Sequence, residues 1–130
     1  MRIYLDVSPV IYLVEQVTPW AAKVQSRLTA SGVVLVSSDL THIEILVRPI
    51  RRGDSLLQAN FEAFFSSQVT EMVPFTRAVF DRAAQIRAVH NIKTPDALHL
   101  AAAVEAGCDQ FLTNDAQLAR FPGITIDVVS

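Results

Sequence analysis

The feature that most narrows the fold is a rhythm. Short apolar or β-branched runs at 2–5, 33–37, 69–73, 110–113 and 125–129 alternate with longer helical stretches, and no hairpin signal joins one run to the next. Strands separated by helices need crossover connections, which within one sheet are right-handed, so the chain is expected to form a mostly parallel sheet with helices on both faces. The expectation is a three-layer α/β/α domain over residues 1–130 with four or five strands.

Local signals set the helix limits. Ser8-Pro9 reads as a cap followed by proline in the first turn, opening a helix to about residue 16, and Thr18-Pro19 repeats the signal for a helix to about 30, with Gly32 as its stop. Ser38 or Asp39 caps a helix to about 47, which Arg48-Pro49 is expected to close, leaving Arg51-Arg52-Gly53-Asp54 as a turn. Helices then follow at 55–66, 77–90, 95–106 and 116–120.

Composition removes several function classes. The 130 residues are 51% hydrophobic and 18% charged, enough to build a core and too apolar for disorder. No run reaches the 18 or so apolar residues that span a bilayer. Cys108 is the single cysteine, so no internal disulfide can form, and the expected location is the cytoplasm. The charged fraction is low for a soluble domain, which points to an apolar face for a subunit or partner. Four glycines, at 32, 53, 107 and 123, cannot make a dinucleotide fingerprint or a P-loop, and there is no G-x-S-x-G. His42, His90 and His99 form no i, i+4 pair, so each reads as structural or superficial rather than as a zinc ligand.

Carboxylates remain. In a parallel sheet, ligands bind outside the carboxyl ends of the strands. Asp6 directly follows the first strand, Glu44 lies in the helix after the second, and Asp115 directly follows the fourth. A helix that feeds a parallel strand runs antiparallel to it, so Asp96, in the first turn of the helix before strand four, belongs at the same edge. Each has a structural explanation as well: Glu44 could complete a capping box with Thr41, Asp96 gains about 0.3–1 kcal/mol from the helix dipole, and Asp115 could cap the short helix. Asp6 has the weakest one, because Ser8 already supplies a cap. Together the four would repel one another unless a cation neutralises them, and an all-oxygen donor set suits Mg²⁺ or Mn²⁺. Such a site can hydrolyse phosphodiesters.

At these residues the sequence resembles the PIN-domain nucleases, in particular the VapC-type toxins of toxin-antitoxin pairs. The resemblance rests on I-Y-L-D-V-S-P-V-I-Y-L-V-E at 3–15, S-D-L-T-H-I-E-I-L-V-R-P at 38–49, T-P-D-A-L-H-L-A-A-A at 94–103 and F-L-T-N-D at 111–115. It implies an Mg²⁺- or Mn²⁺-dependent endoribonuclease, with Asp6 and Asp96 as the core metal ligands and Glu44 and Asp115 completing the catalytic site. Ser8 and Thr113 are implied to support the ligands by hydrogen bonds. A homodimer inhibited by a cognate antitoxin is implied too. Val7 departs from the pattern, standing where many relatives carry Thr or Ala, and leaves any nearby hydroxyl to Ser8.

Arg48, Arg51, Arg52 and Lys93 flank these motifs and are candidates for contact with RNA phosphates or the antitoxin. The Phe61, Phe64 and Phe65 stripe reads as core rather than as a base-stacking platform. With the four acids set aside, nine acids face eleven bases, so a net charge of −2 does not argue against an RNA substrate. A PIN domain that binds RNA or protein without cutting is the alternative. A receiver domain fits poorly, since strand three runs into Val73-Pro74-Phe75 rather than into an aspartate.

Overall fold

A computed structural model describes residues 1–129; Ser130, the last residue of the expected domain, lies outside the described residues. Five strands, β1 (Arg2–Leu5), β2 (Val34–Ser38), β3 (Glu71–Val73), β4 (Gln110–Thr113) and β5 (Thr125–Val128), form one sheet in the order β3-β2-β1-β4-β5. Every pairing is parallel, so the expected architecture is present with five strands. The helices are α1 (Val7–Val14), α2 (Trp20–Leu28), α3 (Asp39–Arg52), α4 (Ser55–Ser67), α5 (Arg77–His90) and α6 (Thr94–Glu105), with a 3₁₀ turn at Ala116–Arg120.

Alternation along β1 divides the core. Ile3 and Leu5 join Val10, Val24, Ile45, Phe61 and Phe65 on the face covered by α1 to α4. Tyr4 points the other way, among Val79, Ile86, Leu100 and Phe111 beneath α5 and α6. Phe61 and Phe65 are buried and Phe64 is half-buried, as their helical spacing predicts. The chain steps outward from β1 through β2 to β3, then crosses back over the sheet to β4. Strand order therefore reverses between β1 and β4, the topological switch point where a parallel sheet opens a crevice.

Three local expectations are corrected. Helix α1 starts at Val7 and its cap is Asp6, whose carboxylate accepts from the Val7 N–H; Ser8 lies inside the first turn and is not the cap. Pro19 occupies the cap position of α2 without a side-chain hydrogen bond, and that helix stops at Leu28, short of Gly32. Helix α3 runs through Pro49 to Arg52, and Arg51 and Arg52 sit in its last turn rather than in a loop. Pro49 is buried with Ile45 and Leu46, and that packing outweighs the lost backbone bond. Gly53, at φ 65°, ends the helix in the left-handed conformation, and Asp54 N–H closes back on the Pro49 carbonyl at 2.9 Å.

Candidate active site

The carboxyl end of β1 emerges at the switch point, and Asp6 is the first residue beyond it. One oxygen, Oδ1, accepts from Val7 N at 2.8 Å, and the other, Oδ2, accepts from the Thr113 hydroxyl at 2.7 Å. Thr113 is fully buried at the end of β4, and its oxygen also accepts from Asp115 N at 3.1 Å. A single hydroxyl thus ties the ends of the two strands that flank the crevice. Thr113 thus supports Asp6 directly, whereas the bonds that hold Asp6 do not involve Ser8. Capping by Asp6 also removes the reasoning that set it apart from a structural role, since it serves the helix as well as the crevice.

Asp115 caps the 3₁₀ turn, accepting from Gln117 N at 2.9 Å. Across from it, Asp96 enters from the first turn of α6, as the antiparallel run of that helix requires. The two line a cavity of about 120 Å³ with Lys93, Asn91, Gln117 and Arg120. Burial pushes the Asp96 carboxyl above its ordinary value, the charges of Asp6, Asp115 and Glu44 push it further, and His99 works against them. Asp96 therefore feels the charges of all three other acids.

Glu44 stands in the second turn of α3. Ser38 is the cap there, accepting from Thr41 N, so Glu44 takes no part in a capping box. Its Oε1 lies 2.5 Å from Nε2 of His99, a residue of α6 that is only 2% exposed. The same nitrogen is 4.0 Å from Asp6 Oδ1. In the sequence His99 reads as structural or superficial because no zinc spacing includes it, and Asp96-x-x-His99, which places both side chains on one helix face, is the signal that marks it. Tyr4, whose hydroxyl meets His99 Nδ1 at 2.8 Å, was hidden for a different reason: in a sequence it is one more apolar strand residue.

The basic candidates divide. Arg48 pairs with Glu15. Arg51 and Arg52 are exposed at the end of α3, where Arg51 borders an apolar groove of about 490 Å³ formed with Ile43, Leu46, Val47 and Ile50. Lys93 is exposed at the mouth of the Asp96 cavity. Arg120, not singled out from the sequence, lines the same cavity and donates to the carbonyls of His90 and Asn91.

Oxygen donors dominate the crevice. Among the described residues, no three acidic, histidine or cysteine side chains lie close enough together to hold a metal ion by themselves. The donor set still suits a hard cation, because Mg²⁺ keeps several of its own waters and needs only one or two carboxylates directly. The raised Asp96 carboxyl reflects its burial first and then the like charges around it, and such an ion would relieve the second.

A five-stranded parallel α/β domain with an acidic crevice at its switch point is the class that fold and geometry define. The sequence matches the family model described as the PIN domain over residues 3–124, and the chain belongs to that family. No curated protein matches the chain in sequence. Among solved structures, it is similar to VapBC2 from Rickettsia felis bound to a promoter DNA fragment (TM-score 0.83, 15% identity, 100% of both chains). A toxin-antitoxin complex from Klebsiella pneumoniae matches with TM-score 0.77 and 18% identity, over 98% of both chains. The sarcin-ricin loop cleaving toxin VapC20 of Mycobacterium tuberculosis matches with TM-score 0.68 and 17% identity, over 84% of this chain and 86% of that one.

Proposed function

We propose that the chain is a divalent-metal-dependent endoribonuclease acting as the toxin of a toxin-antitoxin pair. The observation that supports this reading is that Asp96 lies near enough to Asp6, Asp115 and Glu44 to feel their charges, beside the β1/β4 switch point, in a member of the PIN family. The similar folds of VapBC complexes and of an RNA-cleaving VapC support the toxin assignment.

Asp6 and Asp96 are the residues that would hold Mg²⁺ or Mn²⁺, with Glu44 and Asp115 completing the set partly through water. When bound, the cation supplies neutralisation of the acids and of the charge that develops at phosphate during in-line attack by water. The chain's own residues do the rest. Val7 N–H and Thr113 fix Asp6 by separate oxygens, which sets the plane of its carboxylate. Lys93, at the mouth of the Asp96 cavity, and Arg51 and Arg52, in the last turn of α3, are exposed charges for RNA phosphates or for the antitoxin. Ser8, half-buried one residue into α1, is kept as a weaker candidate for support.

Exposed Ile43, Val47 and Ile50 form, with Leu46, an apolar surface on α3, and Leu56, Phe80 and Val89 are exposed singly on α4 and α5. The α3 face fits the antitoxin or a second copy of the chain in a homodimer. Among the described residues no helix is long and apolar enough to cross a membrane, and the reading places the protein in the cytoplasm.

The test is RNA cleavage in Mg²⁺, in Mn²⁺ and in chelator, with Asp6→Asn and Asp96→Asn beside the wild type. Cleavage that needs the metal and both aspartates is expected; full activity in chelator overturns the reading. RNA binding without any cleavage, undiminished in Asp96→Asn, would establish the non-cutting PIN domain instead.

A further inference from the structure

Beneath the acids runs a buried polar chain that the cleavage reading leaves unused. Tyr4 Oη lies 2.7 Å from Ser38 Oγ and 2.8 Å from His99 Nδ1. Thr41 Oγ1 approaches both Tyr4 Oη, at 3.5 Å, and His99 Nδ1, at 3.4 Å, and donates to the Leu5 carbonyl at 3.3 Å. Tyr4, Ser38 and Thr41 are fully buried. The chain spans β1, which leads into Asp6, and α3 and α6, which carry Glu44 and Asp96.

The outer end of this chain is His99 Nε2, 2.5 Å from Glu44 Oε1. A carboxylate only accepts, so Nε2 carries the hydrogen and donates it, whatever the state of Nδ1. The inner end cannot let go without leaving polar atoms unpaired in the core, and among the described residues no buried side-chain nitrogen or oxygen lacks a partner. The ring is therefore anchored from behind. Glu44 has the opposite character: its side chain is 37% exposed, on the solvent side of α3, and carries three rotatable bonds. Without an external donor it would sample many rotamers.

We propose that His99 is a positioning residue, whose Nε2–H, anchored through Nδ1 by Tyr4, holds the Glu44 carboxylate at the rim of the acidic crevice ready for a divalent cation. The proposal rests on the cleavage reading for what Glu44 does, and on the geometry alone for what His99 does to Glu44. A purely space-filling histidine, packed edge-on against Tyr4 at 5.9 Å between ring centroids, is the competing account.

Glutamine and asparagine separate the two accounts. The glutamine amide nitrogen reaches about as far as histidine Nε2, whereas asparagine stops near Nδ1. His99→Gln keeps a donor for Glu44, and His99→Asn keeps only the contact with Tyr4. Mn²⁺ affinity is measured by calorimetry without RNA, and RNA cleavage is assayed in parallel. His99→Gln, which keeps the donor but loses the Tyr4 anchor, is expected to bind less than about 10-fold more weakly than wild type, and His99→Asn about 10- to 100-fold more weakly, the usual cost of removing a partner that orients a metal ligand. An ¹H–¹⁵N spectrum of the wild-type imidazole is expected to show a slowly exchanging Nε2–H signal that disappears in Glu44→Ala, a variant at an exposed position that leaves folding intact. This measurement decides the hydrogen bond even where a His99 variant fails to fold.

Asparagine binding Mn²⁺ as wild type does, glutamine failing as badly as asparagine, or an Nε2–H signal indifferent to Glu44→Ala each overturns the proposal. Wild-type protein that neither binds Mn²⁺ nor cuts RNA overturns the cleavage reading instead. The two failures are distinct, since failure of the His99 proposal leaves wild-type binding and cleavage in place.

Discussion

At the scale of single residues, Asp96 is the most informative group. Burial and its acidic neighbours raise its carboxyl pKa, so folding favours the protonated form. Below the unfolded value near 3.8 both states are protonated and the effect is absent; as pH rises through that value the unfolded chain ionises more readily, and the fold loses stability. At pH 7, Asp96→Asn is therefore expected to melt in chelator at or above the wild-type temperature, and in Mg²⁺ to lose at least about 100-fold in RNA cleavage. Calorimetry and a cleavage assay on the same preparation check this; a variant that melts well below wild type would contradict the crowding. Cys108 offers a cleaner titration. Burial pushes its thiol from 9.0 up to about 11, which cuts the thiolate fraction near neutrality about 100-fold. Alkylation at pH 7.5 should be correspondingly slow in the folded protein and fast in denaturant.

At the scale of elements, α3 shows how a tertiary contact overrides a local signal. Arg48-Pro49 is a sound stop signal, yet the helix continues because Ile45, Leu46 and Pro49 share its buried side. What ends it is Gly53, where the backbone needs a positive φ and a Cβ would meet nothing within 4 Å. Gly53→Ala should thus cost about 1–2 kcal/mol from conformation alone, with Gly53→Asn milder, read as a shift in the denaturation midpoint. Helix α4 depends on packing instead: Phe61→Ala, at a fully buried position, should cost about 3–5 kcal/mol.

At the scale of the whole molecule, the low charged fraction has a visible outlet in the apolar surface of α3. Ile43 and Ile50 are 62% and 57% exposed, so a double change to aspartate should leave the fold and its melting temperature near wild type. The same variant should lose either self-association, measured by light scattering against the 14.3 kDa monomer, or capture of the antitoxin. A variant unchanged in both would remove this surface from any interface.

The sequence by itself determined the layered architecture, because the alternation of strand and helix leaves one handed way to close a parallel sheet. It also determined which acids follow which strands, since a residue's place after a strand is a fact of order alone. Tertiary structure decided the rest. Strand order put the crevice between β1 and β4, packing carried α3 past Pro49, and the first free N–H beyond β1 made Asp6 the cap in place of Ser8. Only the fold could bring Tyr4, Ser38, Thr41 and His99 onto Glu44, residues up to 95 positions apart. Burial of polar groups forces them to find partners, and a partner across the sheet leaves no trace in local sequence.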